Sequence, residues 1–525
     1  MSIISHQRGR LRRAALGLIA LGSVALLAPS VVGVVGASAT ATPAAANYGT
    51  LNWGWSTPTT WDPTTSSAGT DVTDLQLVYA ALTKLTPGGV PIPGLALSWK
   101  YTEHGDAFVM TLRKGVTFTD GTPFNAAAVK VNILRDIQPS SLLSPQLSLI
   151  QSVTVVSKYV VQLNLSSPEY DYPLLFADKW GEMVSPTAIA TNPTGLATQP
   201  VGAGPFILTS YTPQSSATLV RNTKYFDAAD FHLAQVNIHV ISNVAADLAA
   251  LESGEVNMVS LTTAQDNAAA KAAGFITKTE PNLRVVNIQV NQTLAPLNNP
   301  LVLQAINYAV NRPVLAQTQT FGSGKADDEP FPIGYLAYAP SVAKYYTYDP
   351  SKAEALLAQA GYSNTKVPLT LTASVPTGGS VDALSEQLQS ELDAAGFNVT
   401  ISEIPSSQAS LLVYVQHTIA FNPNQLAGRT SPLQMLNVAY SPTGLLNGGR
   451  TAAPQMTKAL AYATGIPLNR SNWAASLQAA TVAAVKYGYN ISLYTIPWQM
   501  LLAKNVKGLQ PYITSQSLQG ITVGS

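Results

Sequence analysis

No cysteine occurs anywhere among the 525 residues. No disulfide can staple such a chain, so buried apolar surface must hold its fold together. The length is about three times a typical ~150-residue domain, which excludes a single small domain. Hydrophobic residues reach 46% and the mean hydropathy is +0.14, enough for several buried cores and unlike a disordered chain. The missing thiols also exclude thiolate metal sites, cysteine nucleophiles and a lipid-modified N-terminal cysteine. Charged residues make up only 11%, against roughly 25% in ordinary soluble proteins. The formal charge of +1 carries no basic excess, so a nucleic-acid partner is not expected.

The N-terminal segment has the order of an export signal. Arg8, Arg10, Arg12 and Arg13 come first, followed by an uncharged apolar run over 14–28 and then small residues. Ala37-Ser38-Ala39 and Ala44-Ala45-Ala46 offer cleavage sites. The Arg12-Arg13 pair leaves twin-arginine export open beside the general secretory route. An uncleaved anchor over 14–35 is the alternative, weakened by Gly17, Gly22, Pro29 and Gly33. Either way the bulk of the chain is expected outside the cytoplasm. Cleavage after residue 46 would remove four arginines and take the formal charge from +1 to −3.

Beyond that segment, strand and helix patterns alternate. Phe108, Met110 and Leu112 recur with period two, and Val116 and Phe118 resume after Lys114-Gly115, which reads as a hairpin. A second hairpin is expected from Val153 and Val155 to Val161, Leu163 and Leu165, turning near Ser157-Lys158. Asn125 reads as the N-cap of a helix carrying Val129 and Ile133. Asn299-Pro300 opens another helix, with Pro313 as its stop. Asp349-Pro350 opens one that ends at Gly361, and Ser471 is placed as the cap of a third. Ile491 to Tyr494 reads as a strand. The coarse expectation is a mixed α/β protein of more than one lobe.

Nine blocks in one order then give a specific resemblance. Trp61-Asp62-Pro63 is similar to "LDP", and Tyr79-Ala80-Ala81-Leu82 to "YEGL". Residues 93–99, PGLALSW, are similar to "P-x-LAxSW". Residues 112–123, LRKGVTFTDGTP, resemble "LRKGVKFSDGTP", and 201–206, VGAGPF, resemble "VGTGPY". Arg221-Asn222 with Tyr225-Phe226 resembles "RNPDYW", and 251–257, LESGEVN, resembles "L-x-SGEVD". Residues 305–312, AINYAVNR, resemble "AL-x-YAIDR". Residues 349–362 resemble "YDPEKAKxLLxEAGY". The chain thus resembles the extracytoplasmic solute-binding proteins of ABC importers, family 5, the peptide, nickel and oligosaccharide class, over roughly 50–510.

The resemblance implies an α/β, two-lobed periplasmic-binding-protein-like clamp (type II, cluster C) with three domains and a two-strand hinge. Domain I would comprise 47–78, 201–295 and 486–525, domain II 79–200, and domain III 296–485. The hinge strands would cross near 290–296 and 482–490. Such a clamp closes on a small-molecule ligand between its lobes and presents it to an ABC permease. It would act as a periplasmic or cell-surface monomer, without cofactor, metal or catalytic residue. An exported hydrolase, or a surface sensor or scaffold on the same fold, is the rival reading.

Little in the sequence supports the enzymatic rival. Ser341-Val342-Ala343-Lys344 matches S-x-x-K, but no K-T-G completes that signature. Val201-Gly202-Ala203-Gly204 lacks the third glycine of a dinucleotide fingerprint, and Gly324-Lys325 lacks the upstream glycine of a P-loop. Gly115, Gly121 and Gly204 read as turn residues. His104, His232, His239 and His417 show no metal-ligand spacing.

For the ligand site, peptide-binding relatives place a Trp and an Asp-Pro in domain III, and that aspartate holds the peptide's α-ammonium. The matching stretch is 426–432, LAGRTSP. Leu426 stands for the Trp, Ser431 stands for the Asp, and Arg429 brings the opposite charge. Aligning Asn422-Pro423 instead still supplies no acid. Trp53, Trp55 and Ser56, on the strand expected to line the cleft, complete the candidate set. A free-amine peptide is therefore not the expected ligand, because Ser431 carries no compensating charge. Oligosaccharides or capped apolar compounds fit. An anionic solute also fits if Arg429 faces the cleft rather than solvent.

The low charge carries one further expectation. The family's "AEDV" stands here as Ala126-Ala127-Ala128-Val129. Few charges limit the swing in self-repulsion as pH falls, and few native carboxylate pairs remain to be lost. Tolerance of acid is expected, with an alanine-rich genome as the alternative cause.

Overall fold

The computed structural model describes residues 48–524 apart from 242–243, 262–266, 376–380, 427, 469 and 511. The export segment expected over 1–46 lies outside these. Among the described residues no helix is long and apolar enough to cross a membrane.

A seven-stranded mixed sheet forms the base of the first lobe. Its middle strand, Gly49–Gly54, pairs in parallel with Leu233–His239 and with Met258–Leu261. Ser216–Arg221 and Phe206–Thr212 extend one side as an antiparallel meander. On the other side Trp498–Leu502 lies between Met258–Leu261 and Ile276–Glu280. A four-stranded antiparallel sheet, ordered Ala96–Tyr101, Ala107–Leu112, Val160–Leu165, Ile150–Ser157, shares its apolar core. Leu51, Trp53, Phe108, Phe176, Phe206 and Ile238 are fully buried there.

The second lobe has its own core around Val285–Val290, all six residues of which are buried. The burial of that run does not alternate, although Val286, Ile288 and Val290 alternate with Asn287 and Gln289, because both of its faces are covered. Phe421–Leu426 and Ile491–Thr495 flank it antiparallel. Val367–Val375 and Phe397–Pro405 form a separate parallel pair. A helical layer of Pro432–Tyr440, Pro454–Thr464 and Trp473–Tyr487 packs as a third cluster around Leu283, Leu433 and Leu477.

The chain leaves the seven-stranded sheet after Glu280 and enters the second lobe's sheet at Val285. It returns between Thr495 and Trp498. The crossings therefore lie at 281–284 and 496–497, not near 290–296 and 482–490. The backbone N–H of Ile496 donates to the carbonyl of Arg284 at 3.0 Å, tying the two crossings together.

Several local expectations hold. Asn125 Oδ1 accepts from the amides of Ala127 and Ala128 at 2.9 and 3.1 Å. Asn299 caps Pro300–Ala309, and Asp349 caps Pro350–Gln359, with Gly361 at φ +99° just beyond. The hairpin of Ile150–Ser157 with Val160–Leu165 is present.

Other expectations are corrected. No hairpin turns at Lys114-Gly115: Ala107–Leu112 is paired on both sides, by Ala96–Tyr101 and Val160–Leu165, so no free edge remains. Val116 and Phe118 instead anchor a loop in the core. Pro313 does not stop a helix, because Pro300–Ala309 has already ended, and it sits in the first turn of Arg312–Gln319. There its missing N–H costs nothing. Trp473–Tyr487 starts after Asn472 rather than Ser471, without a side-chain cap. Gly204 supplies no positive φ. A Cβ there would lie 2.5 Å from the carbonyl carbon of Val78, so close backbone approach demands the glycine.

Candidate ligand cleft

A cavity of about 830 Å³ opens between the lobes. The first lobe lines it with Trp55, Ser56, Trp180 and Trp498, the second with Gly428, Arg429 and Thr430, and the crossing at 281–284 with Asn282 and Arg284. The cavity thus touches one crossing directly and, at Trp498, the residue that follows the other.

Three tryptophans are built outward from the central strand. Trp53 is fully buried and donates through Nε1 to Ser260 Oγ at 3.3 Å. Trp55 stacks on it, with ring centroids 5.2 Å apart and planes inclined by 12°. Trp55 in turn meets Trp498 edge-on at 5.8 Å. Strand alternation places Trp53 and Trp55 on the same side of the sheet, and the end of the strand carries Trp55 into the cavity. The Nε1 of Trp55 donates to Asp74 at 3.3 Å, fixing the ring. Burial holds the Asp74 carboxyl well above the usual carboxylate range.

The structure separates the six residues singled out from sequence. Trp55, Ser56 and Arg429 line the cavity. Trp53 lies beneath Trp55 as its support. Leu426 is turned into the apolar core, in the cluster of Leu283, Leu433 and Trp473. Ser431 is fully buried and does two local jobs. Its Oγ accepts from the amide of Gln434 at 2.9 Å as the cap of Pro432–Tyr440, and its hydroxyl donates to Asp171 of the first lobe. Thr430 Oγ1 donates to Asp178 at 3.1 Å beside it. Burial raises the pKa of Asp171 well above normal, with Glu169 adding to the rise, and burial raises that of Asp178. These two hydrogen bonds join the lobes along one wall of the cleft.

Arg284, Trp498 and Trp180 were not singled out from sequence. A signal for Arg284 exists: it is a lone charge abutting the uncharged strand pattern VVNIQV in a chain that carries few charges. Its guanidinium lies over the Trp498 ring, 5.0 Å from the centroid. Burial lowers the pKa of both Arg284 and Arg429, and Asp178 opposes the effect at Arg429. Lys179 Nζ is bound to the carbonyl of Ser66 at 2.9 Å.

No group of three or more His, Asp or Glu side chains among the described residues is placed to hold a metal ion. Ser341 and Lys344 of the S-x-x-K match are exposed in a turn.

Residues 90–446 match the family described as bacterial extracellular solute-binding proteins, family 5, middle region. The chain belongs to that family. Among curated relatives, the glutathione-binding protein GsiB of Escherichia coli (strain K12) is 28% identical over 274 residues, covering 51% of this chain and 53% of GsiB. The chain thus matches about half the length of such curated relatives. Solved structures extend the likeness across the fold. The binding protein AgaA of A. tumefaciens R10, solved with agropinic acid, superposes with a TM-score of 0.73 at 23% identity, covering 91% of this chain and 99% of AgaA. HbpA2 of Haemophilus parasuis superposes with a TM-score of 0.79 at 22% identity, covering 91% and 100%. The family 5 fold, a two-lobed α/β clamp, is therefore that of this chain.

Proposed function

We propose that this family 5 protein captures a small solute outside the cytoplasm and hands it to the permease of an ABC importer, forming and breaking no covalent bond. The observation that carries the reading is the cavity of about 830 Å³ set between two lobes that the chain joins at 281–284 and 496–497. A ligand there contacts both lobes, so it favours a closed over an open arrangement by its differential contacts. GsiB is named for glutathione and AgaA was solved with agropinic acid, so ligand chemistry varies within the likeness and must be argued from this chain's own cleft.

The reading includes export by the N-terminal segment, action as a monomer, and three domains. Domain I comprises 47–78, 201–280 and 498–525, with its inner borders moved from the expected 295 and 486 to the crossings at 281–284 and 496–497. Domain II is 79–200, and domain III lies between the crossings.

The reading also holds that a free-amine peptide is not the preferred ligand. Ser431, in the place of the family's aspartate, is engaged by Asp171 and the helix cap, and two guanidiniums, Arg284 and Arg429, line the cleft. Mass spectrometry of the intact protein, purified under native conditions, should reveal a small-molecule adduct that denaturation removes. Conversion of that compound by the purified protein would contradict capture without chemistry. Tight binding of unmodified di- to pentapeptides, abolished when their amines are acetylated, would contradict the ligand reading.

A further inference from the structure

Among the described lining residues, the cleft carries three cations, Lys179, Arg284 and Arg429, and two acids, Asp178 and Asp247. Lys179 is committed to Ser66, and Asp178 to Thr430 and the Lys179 amide. The two arginines differ from the other charges. Neither guanidinium makes a hydrogen bond or an ion pair among the described residues, where ion pairs are limited to Lys84–Asp227, Arg135–Asp62 and Arg312–Asp328. The Nε and Nη2 atoms of Arg284 are shut off from solvent with no hydrogen-bond partner.

Those two atoms form one edge of the guanidinium, the fork that matches the two oxygens of a carboxylate. A buried charge with unsatisfied donors is expensive unless something else supplies the partner. The same guanidinium lies over the Trp498 ring, 5.0 Å from its centroid, a cation–π contact that helps hold it in place. Trp55 extends the aromatic surface from there toward the first lobe.

We propose that Arg284 and Arg429 are the anion-recognising groups of the cleft, and that the ligand is a small carboxylate whose apolar or ring portion lies on Trp55 and Trp498. This rests on the solute-capture reading and narrows it. The placement of Arg284 gives the contact a second consequence. Arg284 ends one crossing, and Trp498 follows the other. The covered fork is exposed as the cleft opens, takes the carboxylate, and is covered again on closure. The acid group is thus read at the hinge itself, while Arg429 meets the ligand from the second lobe.

Matched probes that differ only in the acid group test this: galacturonate against galactose, phenylacetate against phenylacetamide, and N-acetyl-alanyl-phenylalanine against its amide. Binding is read by tryptophan fluorescence and calorimetry on the full exported chain, freed of co-purified ligand. At least one acid should bind about tenfold or more tighter than its neutral partner. Arg284→Met should remove that preference, and Arg429→Gln should reduce it. The empty Arg284→Met protein should melt higher than the unsubstituted one, because an unpaired buried charge has been removed. If Arg284→Met does not fold, Arg284→Lys serves, and it should keep the preference for anions while weakening it, because it retains the charge and loses the fork.

Neutral members binding as tightly as acids would overturn the proposal. So would no acid binding at all, or acid preference unchanged by both arginine substitutions. Scattering on the same samples separates the two readings. Acid binding without compaction contradicts the clamp and leaves the anion site standing. Compaction by neutral ligands alone leaves the clamp standing and removes the anion site.

Discussion

Arg429 and Ser431 sit two residues apart and have opposite fates. Arg429 faces the cavity without a hydrogen bond from its guanidinium among the described residues, while Ser431 is spent on a helix cap and on Asp171. Sequence pattern brought attention to this stretch but could not tell the two apart, because a short loop between a strand and a helix turns each side chain independently. Trp53 and Trp55 were legible as a pair, since period two puts them on one face, and the structure makes one the support of the other. Arg284 and Trp498 were not, because they meet only through chain crossings more than two hundred residues apart in sequence. Arg429→Ala is expected to weaken an anionic ligand by about 2–4 kcal/mol, measured by calorimetry. A loss below about 0.5 kcal/mol would place Arg429 outside the binding contacts.

Among the elements, helix starts were the most legible. Asn125, Asn299 and Asp349 each cap the helix that follows, because a short polar side chain before Pro or Ala leaves few other local options. Strand pairing was less so, since the hairpin expected at Lys114-Gly115 depends on whether Ala107–Leu112 has a free edge, a property of the whole sheet. Glycine roles divide in the same way. Gly115 and Gly121 have φ of +75° and +87° with open space around them, whereas Gly204 is crowded by the Val78–Tyr79 backbone. Alanine at Gly115 strains only the local backbone, about 1 kcal/mol. Alanine at Gly204 must displace backbone in the core of the first lobe, about 2–4 kcal/mol. Urea unfolding should therefore show a clearly larger loss for Gly204→Ala, and equal losses would contradict the packing account.

At the scale of the whole molecule, sparse charge and buried carboxyls shape the response to pH. Burial raises Asp327 and Glu329 to about 8, and holds Asp136 and Glu182 well above the usual range. Such groups keep their protons in the folded chain to a higher pH than in the unfolded one. The stability they contribute is complete below about pH 4 and is lost as pH rises through about 8. Asp120, whose hydrogen bonds to Ser185 and Thr122 lower its pKa against a burial effect, works in the opposite sense but is mostly exposed. The melting temperature is expected to rise as pH is lowered from 8 toward 4, and these groups add no further slope below about pH 4 or above about pH 8. A collapse between pH 6 and pH 3 would contradict acid tolerance. The two-lobed plan itself was legible through ordered family blocks, while the crossings were displaced because no block marks them.

The central claim is a clamp that closes on its ligand through the crossings at 281–284 and 496–497. Small-angle scattering of the ligand-free chain, titrated to saturation with a compound that calorimetry shows to bind, tests it most directly. The radius of gyration should fall as the lobes close and return when the ligand is dialysed away. An unchanged radius across full saturation would contradict the account.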